Sequence, residues 1–202
     1  MPRKTAKQKQ AGTSEAIIQS ADRIFCLRGY RAATLSEISE AAGFSTGAIY
    51  SNFSGKEDLF RECMEKRSGK QRELWAKFIS QAQTITICDQ DLADMVASIT
   101  PEAGWRRALH EFLVSPLSDD AREAVRDGQQ RWRDTIARTL RAVAQGNALT
   151  PALPFEDAAV IVAAMMDGLF KWALVAGDQD IGRMFATSVR LVLSGGSNEV
   201  TE

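Results

Sequence analysis

Apolar residues recur along this chain at intervals of three and four. Ile17, Ala21, Ile24 and Phe25 mark one face of a helix predicted over Ser14–Leu27, with Gly29 placed to end it. Leu35, Ile38, Ala41 and Ala42 form a shorter stripe that starts at Thr34, whose spacing to Glu37 is that of a capping box. Gly43 closes this second helix. Ser45 or Thr46 can cap a third, whose apolar side is Ala48, Ile49 and Phe53. Ser54 and Glu57 repeat the capping-box spacing and open a helix at Lys56 that runs into the 70s, with Gly69 its weakest position. Its apolar side is first Leu59, Phe60, Cys63 and Met64, then Leu74, Trp75, Phe78 and Ile79.

The remaining pattern predicts helices over Asp91–Ile99, Glu102–Val114, Ser118–Gln145, Phe155–Ala176 and Ile181–Leu193. Pro101, Pro116 and the two prolines of 146–154 interrupt them, and no segment reads convincingly as a strand. The fold class expected is all-α. The helix from Phe155 carries one stripe of Ile161, Met165, Gly168, Leu169 and Trp172 and another of Val162, Met166, Phe170, Ala173 and Val175. A helix apolar on two sides needs two buried faces, which predicts a homodimer, with a thick intramolecular core as the alternative. Interface residues expected on the last two helices are Ile161, Gly168, Trp172, Phe185, Val189 and Val192.

Short helix, glycine-bearing turn, short helix is the helix-turn-helix pattern. On its second helix Thr46, Gly47, Tyr50, Ser51 and Asn52 are polar or small and lie away from Ile49 and Phe53. Such residues can approach base edges and phosphates. The same face also fits a solvated helix in an ordinary bundle.

The run GFSTGAIYSNFSGKEDLF, with Thr34 nine residues before Gly43, resembles the N-terminal domain of TetR/AcrR-family transcriptional regulators over roughly residues 12 to 62. The resemblance implies an N-terminal three-helix helix-turn-helix head and a C-terminal helical effector-binding and dimerisation domain. It further implies that Thr34, Tyr50 and Lys56 contact phosphates, and that Ser36, Ser45, Thr46, Gly47, Ser51 and Asn52 supply base contacts. Asn52 stands where many members have histidine, which leaves the operator preference open. The expected divisions are a basic flexible arm at 1–12, a DNA-binding domain at 13–55, a ligand-binding and dimerisation domain at 56–194 and a flexible tail at 195–202.

Charge agrees with this division. Residues 1–72 hold 13 Lys/Arg against 8 Asp/Glu, and residues 73–202 hold 12 against 18, although the net charge is only −1. The arm's Arg3, Lys4, Lys7 and Lys9 could add phosphate or minor-groove contacts, and Tyr30 or Arg31 could touch a phosphate. Cys26, Cys63 and Cys88 are widely spaced and read as core thiols of a cytoplasmic protein. No signal-peptide h-region is visible, and the longest unbroken apolar run, Ala158 to Met166, is too short to span a bilayer, so no membrane partner is expected.

Large adaptable side chains suggest a pocket for a small hydrophobic effector, with Phe78, Trp105, Leu109, Phe112, Trp132, Met165 and Met166 as candidate lining and His110 as a solvated histidine. One histidine, no phosphate-binding glycine loop, no metal-ligand cluster and no nucleophile motif leave little to build an enzyme from, and none of the many carboxylates is singled out as an acid/base pair. No catalytic residue, cofactor or metal is therefore expected. The function expected is a ligand-responsive regulator, in the repressor sense, that binds a near-palindromic DNA operator as a homodimer and is released by its effector. An all-helical protein-interaction module without sequence-specific DNA binding is the alternative.

Overall fold

The computed structural model describes residues 6–82, 88–149, 151, 153–176 and 180–193. All regular structure among them is helical: α1 (Ala6–Arg28), α2 (Leu35–Ala42), α3 (Thr46–Tyr50), α4 (Lys56–Ala82), α5 (Asp89–Ile99), α6 (Ala103–Leu113), α7 (Asp119–Gly146), α8 (Phe155–Ala176) and α9 (Ile181–Leu193). Helix α1 begins eight residues before the expected Ser14, so residues 6–12 are helical and not a flexible arm. Ala, Lys and Gln dominate that stretch, all good helix formers without a proline to stop them. Residues 1–5, with Arg3 and Lys4, and the expected tail at 195–202 lie outside the described residues. Helix α5 starts at Asp89 and not Asp91, because the Asp91 carboxylate accepts from the Cys88 amide at 2.8 Å and holds the first turn.

The chain divides into two compact units, one of residues 1–69 and 101–123, the other of residues 70–100 and 124–202. The first therefore extends past the expected boundary at 55/56 and takes in the start of α4, all of α6 and the first turn of α7. Aromatic packing explains the difference. The Phe60 ring meets Phe25 edge-on at 4.8 Å, lies against Tyr30 at 5.0 Å and Phe112 at 4.6 Å, and stacks on Trp105 at 5.0 Å. Tyr30, considered above for a phosphate contact, is thus a core residue whose hydroxyl burial pushes above its ordinary pKa. Trp105 and Phe112, expected around an effector, belong to this core, with Leu109 beside them on α6.

A polar layer borders these rings. Arg67 lies 4.3 Å over the Trp105 ring and donates to Asp22 at 2.8 Å and to Glu102 at 2.7 Å, joining α1, α4 and the start of α6. The guanidinium beside it holds the Glu102 carboxyl down at about 2. Burial pushes the Cys26 thiol, which donates to Glu102 at 3.1 Å, up to about 12.

The second unit has its own core. Trp75, Phe78, Leu92, Val96, Ile136, Leu140, Val162, Met166, Phe185 and Val189 belong to one buried cluster, against which Trp132 and Val192 pack partly exposed. Phe185 and Val189 were expected at a dimer interface; each is 1% exposed and is core within a single chain. Helix α8 separates its two stripes. Val162, Met166 and Ala173 are buried, whereas Ile161, Met165, Gly168 and Trp172 face outward, Trp172 at 50% exposure. The exceptions are Leu169, which packs partly buried against the core, and Val175, which is 89% exposed at the end of the helix. Met165, expected in a pocket, is therefore on the outer face. By length and composition α8 is long and apolar enough to cross a membrane, which the unbroken run Ala158 to Met166 did not suggest; its inner stripe is nevertheless spent on the protein core. Of the three cysteines only Cys63 is fully buried. Cys26 is half-buried and Cys88 is exposed before α5, so neither is a plain core thiol.

Candidate nucleic-acid interface

The corner between α2 and α3 is built from hydroxyls. Thr34 caps α2: its Oγ1 accepts from the Glu37 amide at 3.2 Å while the Glu37 carboxylate accepts from the Thr34 amide at 3.1 Å, completing the predicted box. Gly43 ends α2 at φ 72, a left-handed conformation that costs a glycine little. Ser45 then caps α3, accepting from the Ala48 amide at 3.3 Å.

Ser39 was not singled out in the sequence, because a serine on a short helix reads as a surface residue. It is buried here, and the outward turn of Ala41 leaves Leu35, Ile38, Ser39 and Ala42 as the inner side of α2. The Ser39 hydroxyl donates to the Ser36 carbonyl at 2.9 Å and lies 3.2 Å from Thr46 Oγ1. One side chain therefore ties α2 to the first residue of α3. The orientation of α3 is fixed by this bond and by buried Ile49 and Phe53, not by helix length, since α3 has only five residues.

The expected contact residues divide by what they already hold. Thr34, Ser36, Ser45, Gly47, Tyr50 and Ser51 are exposed, Tyr50 at 61%. Thr46 and Asn52 are half-buried. The Ser51 hydroxyl donates to the Gly47 carbonyl at 2.9 Å, and the Asn52 amide nitrogen donates to the Ala48 carbonyl at 2.7 Å. One N–H of the Asn52 amide is thus turned back on the helix, and its second N–H and Oδ1 are left for a base edge or a phosphate.

Lys56 is the most constrained member. Its ammonium donates to the carbonyls of Arg31 at 3.2 Å and Ala33 at 3.1 Å and lies 4.8 Å above the Tyr30 ring. Burial lowers its pKa, and Glu111 partly offsets that. An ammonium has three N–H donors, so a phosphate can be served by the third while the other two brace the turn before α2. The Ser54 box closes differently from expectation: the Ser54 amide donates to Asp58, at 2.9 Å, while the Glu57 carboxylate accepts from the Ser118 hydroxyl and amide.

Helix α6 supports the turn between α1 and α2 from a distance in sequence that no local pattern reveals. Arg107 donates to the Leu27 carbonyl at 3.0 Å, satisfying the end of α1, and the Glu111 carboxylate accepts from the Arg31 amide at 2.9 Å. Gly29, at φ 83, sits where any side chain would collide with that carboxylate.

Known proteins match over both regions. Residues 17–63 fit the model of bacterial regulatory proteins of the tetR family, and residues 89–192 fit that of the BetI-type transcriptional repressor, C-terminal. The chain belongs to the TetR family. It is a transcriptional regulator with a BetI-type C-terminal region. It is 28% identical to the regulator AcrR of Shigella flexneri over 201 residues, covering 96% of this chain and 93% of that one. A TetR-family regulator from Mesorhizobium loti superposes with a TM-score of 0.70 at 18% identity, covering 95% of this chain and 98% of that one. The Bacillus subtilis regulator FadR, solved with stearoyl-CoA, gives a TM-score of 0.66 at 17% identity over 90% of this chain and 98% of its own. These two likenesses concern the fold.

Proposed function

We propose that this TetR-family regulator is a cytoplasmic repressor that binds a near-palindromic operator as a homodimer and releases it on taking up a small apolar effector. The observation that carries the reading is the α3 face: Ser45, Gly47, Tyr50 and Ser51 point outward from a helix whose orientation Ser39, Ile49 and Phe53 fix. Thr34, Tyr50 and the third donor of Lys56 position the helix on phosphates, and Ser36, Ser45, Thr46, Gly47, Ser51 and Asn52 read base edges. The outer stripe of α8, with Ile161, Gly168 and Trp172, supplies the dimer contact. Two recognition helices about 34–36 Å apart then enter successive major grooves. The role is binding rather than catalysis.

Effector release follows from differential affinity: a ligand that binds better to a conformation with the heads misplaced lowers operator affinity, typically by about 1–3 kcal/mol of coupling. The effector site lies in the second unit, where Phe78, Trp132 and Met166 remain of the expected lining.

Selection of bound fragments from the source genome tests the reading. It predicts enrichment of one short near-palindrome protected as two half-sites. Enrichment of nothing above random DNA would overturn it in favour of the interaction-module alternative.

A further inference from the structure

Trp75 is 1% exposed, and its indole Nε1 has no hydrogen-bond acceptor among the described residues. Its neighbours are rings: Phe78 at 6.1 Å, Trp132 at 5.6 Å and Phe185 at 6.2 Å. A buried donor without an acceptor is uncommon in a native core and is stabilised by whatever brings it one. The described buried polar residues of this unit are Thr135, Thr139 and Ser188, whose hydroxyls are satisfied within their own helices by donating to the carbonyls of Arg131, Thr135 and Met184. None of the described buried residues of this unit is charged. A charged ligand group would stand unpaired there, whereas an uncharged ring fits.

We propose that the effector is an uncharged aromatic compound whose hydrogen-bond acceptor, a carbonyl or ring oxygen, takes the Trp75 indole N–H. The proposal rests on the effector reading above and names the ligand class and its specificity-determining residue. Trp132, half-exposed and in contact with Trp75, leads from the surface to the indole. Met166 and Met95 in the same cluster are side chains that repack readily around a guest. A ring of the same size without an acceptor gains the apolar contact and leaves the N–H unpaired.

The full-length protein, with its indoles labelled with nitrogen-15, is titrated with coumarin and with naphthalene, a planar bicyclic hydrocarbon lacking the lactone oxygens. Coumarin is expected to move the Trp75 N–H resonance downfield at saturation, and the hydrocarbon to leave it nearly in place. Trp75→Phe, which keeps a ring and removes the donor, is expected to weaken coumarin about five- to tenfold and to leave the hydrocarbon's affinity unchanged. Equal coumarin affinity in both proteins, or an unmoved wild-type resonance, would overturn the proposal. Should Trp75→Phe fail to fold, the wild-type resonance alone decides.

Release of the selected operator, measured with coumarin, the hydrocarbon and stearoyl-CoA, separates this proposal from the reading beneath it. Release by stearoyl-CoA alone, with Trp75 unmoved, overturns the assignment of ligand class and keeps the effector reading. A Trp75 shift without release by coumarin removes the regulatory role of the contact. No release and no shift with any of the three overturns both.

Discussion

Gly104 lets α6 lie directly against the last turn of α1: a Cβ at that position would come within 3.0 Å of the Cys26 carbonyl carbon. Backbone meets backbone there, so no flexible side chain can make room. Gly104→Ala is expected to destabilise the first unit by roughly 1–3 kcal/mol, the usual range for overpacking. Thermal unfolding checks this. Gly182, in the same relation to Ala93 between α9 and α5, gives the matching test in the second unit.

Acid weakens the first unit through Glu102. Its folded pKa, about 2, is below the ordinary glutamate value because Arg67 donates to the carboxylate. A depressed carboxyl contributes stability that is present above the unfolded pKa and is lost as pH falls through the folded one. Unfolding midpoints should therefore decline between about pH 5 and pH 2, and Glu102→Gln should flatten that decline. An unchanged acid profile in the variant would contradict the role given to the pair.

The outer stripe of α8 makes a separate prediction about assembly. Trp172 is half exposed, and a Cβ on Gly168 would meet nothing within 4 Å in one chain. Trp172→Glu should leave the folded helix content unchanged and shift the protein from dimer to monomer, as read by sedimentation. A variant that remains dimeric would place the interface elsewhere.

Much of this fold is legible in the sequence because its signals are local. The Thr34–Glu37 box, Gly43 and the Ser45 cap are each set by neighbours within four residues, and each stands where the pattern puts it. Periodicity also located the body helices to within a few residues. It did not show that Trp105 and Phe112 close over Phe60, because apolar positions state that a face is buried and not what buries it. The same limit applies to Phe185 and Val189, core residues on a helix whose pattern equally fits an interface. Ser39 escaped for the opposite reason: its burial depends on a hydroxyl seven residues away in Thr46. Glu57 was assigned to its own helix, but its carboxylate is used by Ser118 across 61 residues.

The proposed function gives Tyr50 and Lys56 the phosphate contacts, and the two residues are placed for them in unequal ways. Lys56 also braces the Arg31 and Ala33 carbonyls, so its replacement changes the fold as well as the charge. Tyr50 is exposed, and no bond to the rest of the chain depends on its hydroxyl among those described. The most direct test of the account is therefore a titration of the selected operator and of a scrambled duplex, each across a salt series, with the wild type and with Tyr50→Phe. The prediction is strong preference for the operator, a steep fall of affinity with salt, and a loss of about three- to tenfold on both duplexes in the variant without change in its unfolding midpoint. Equal binding of operator and scrambled DNA, or a variant that binds like the wild type, would contradict it.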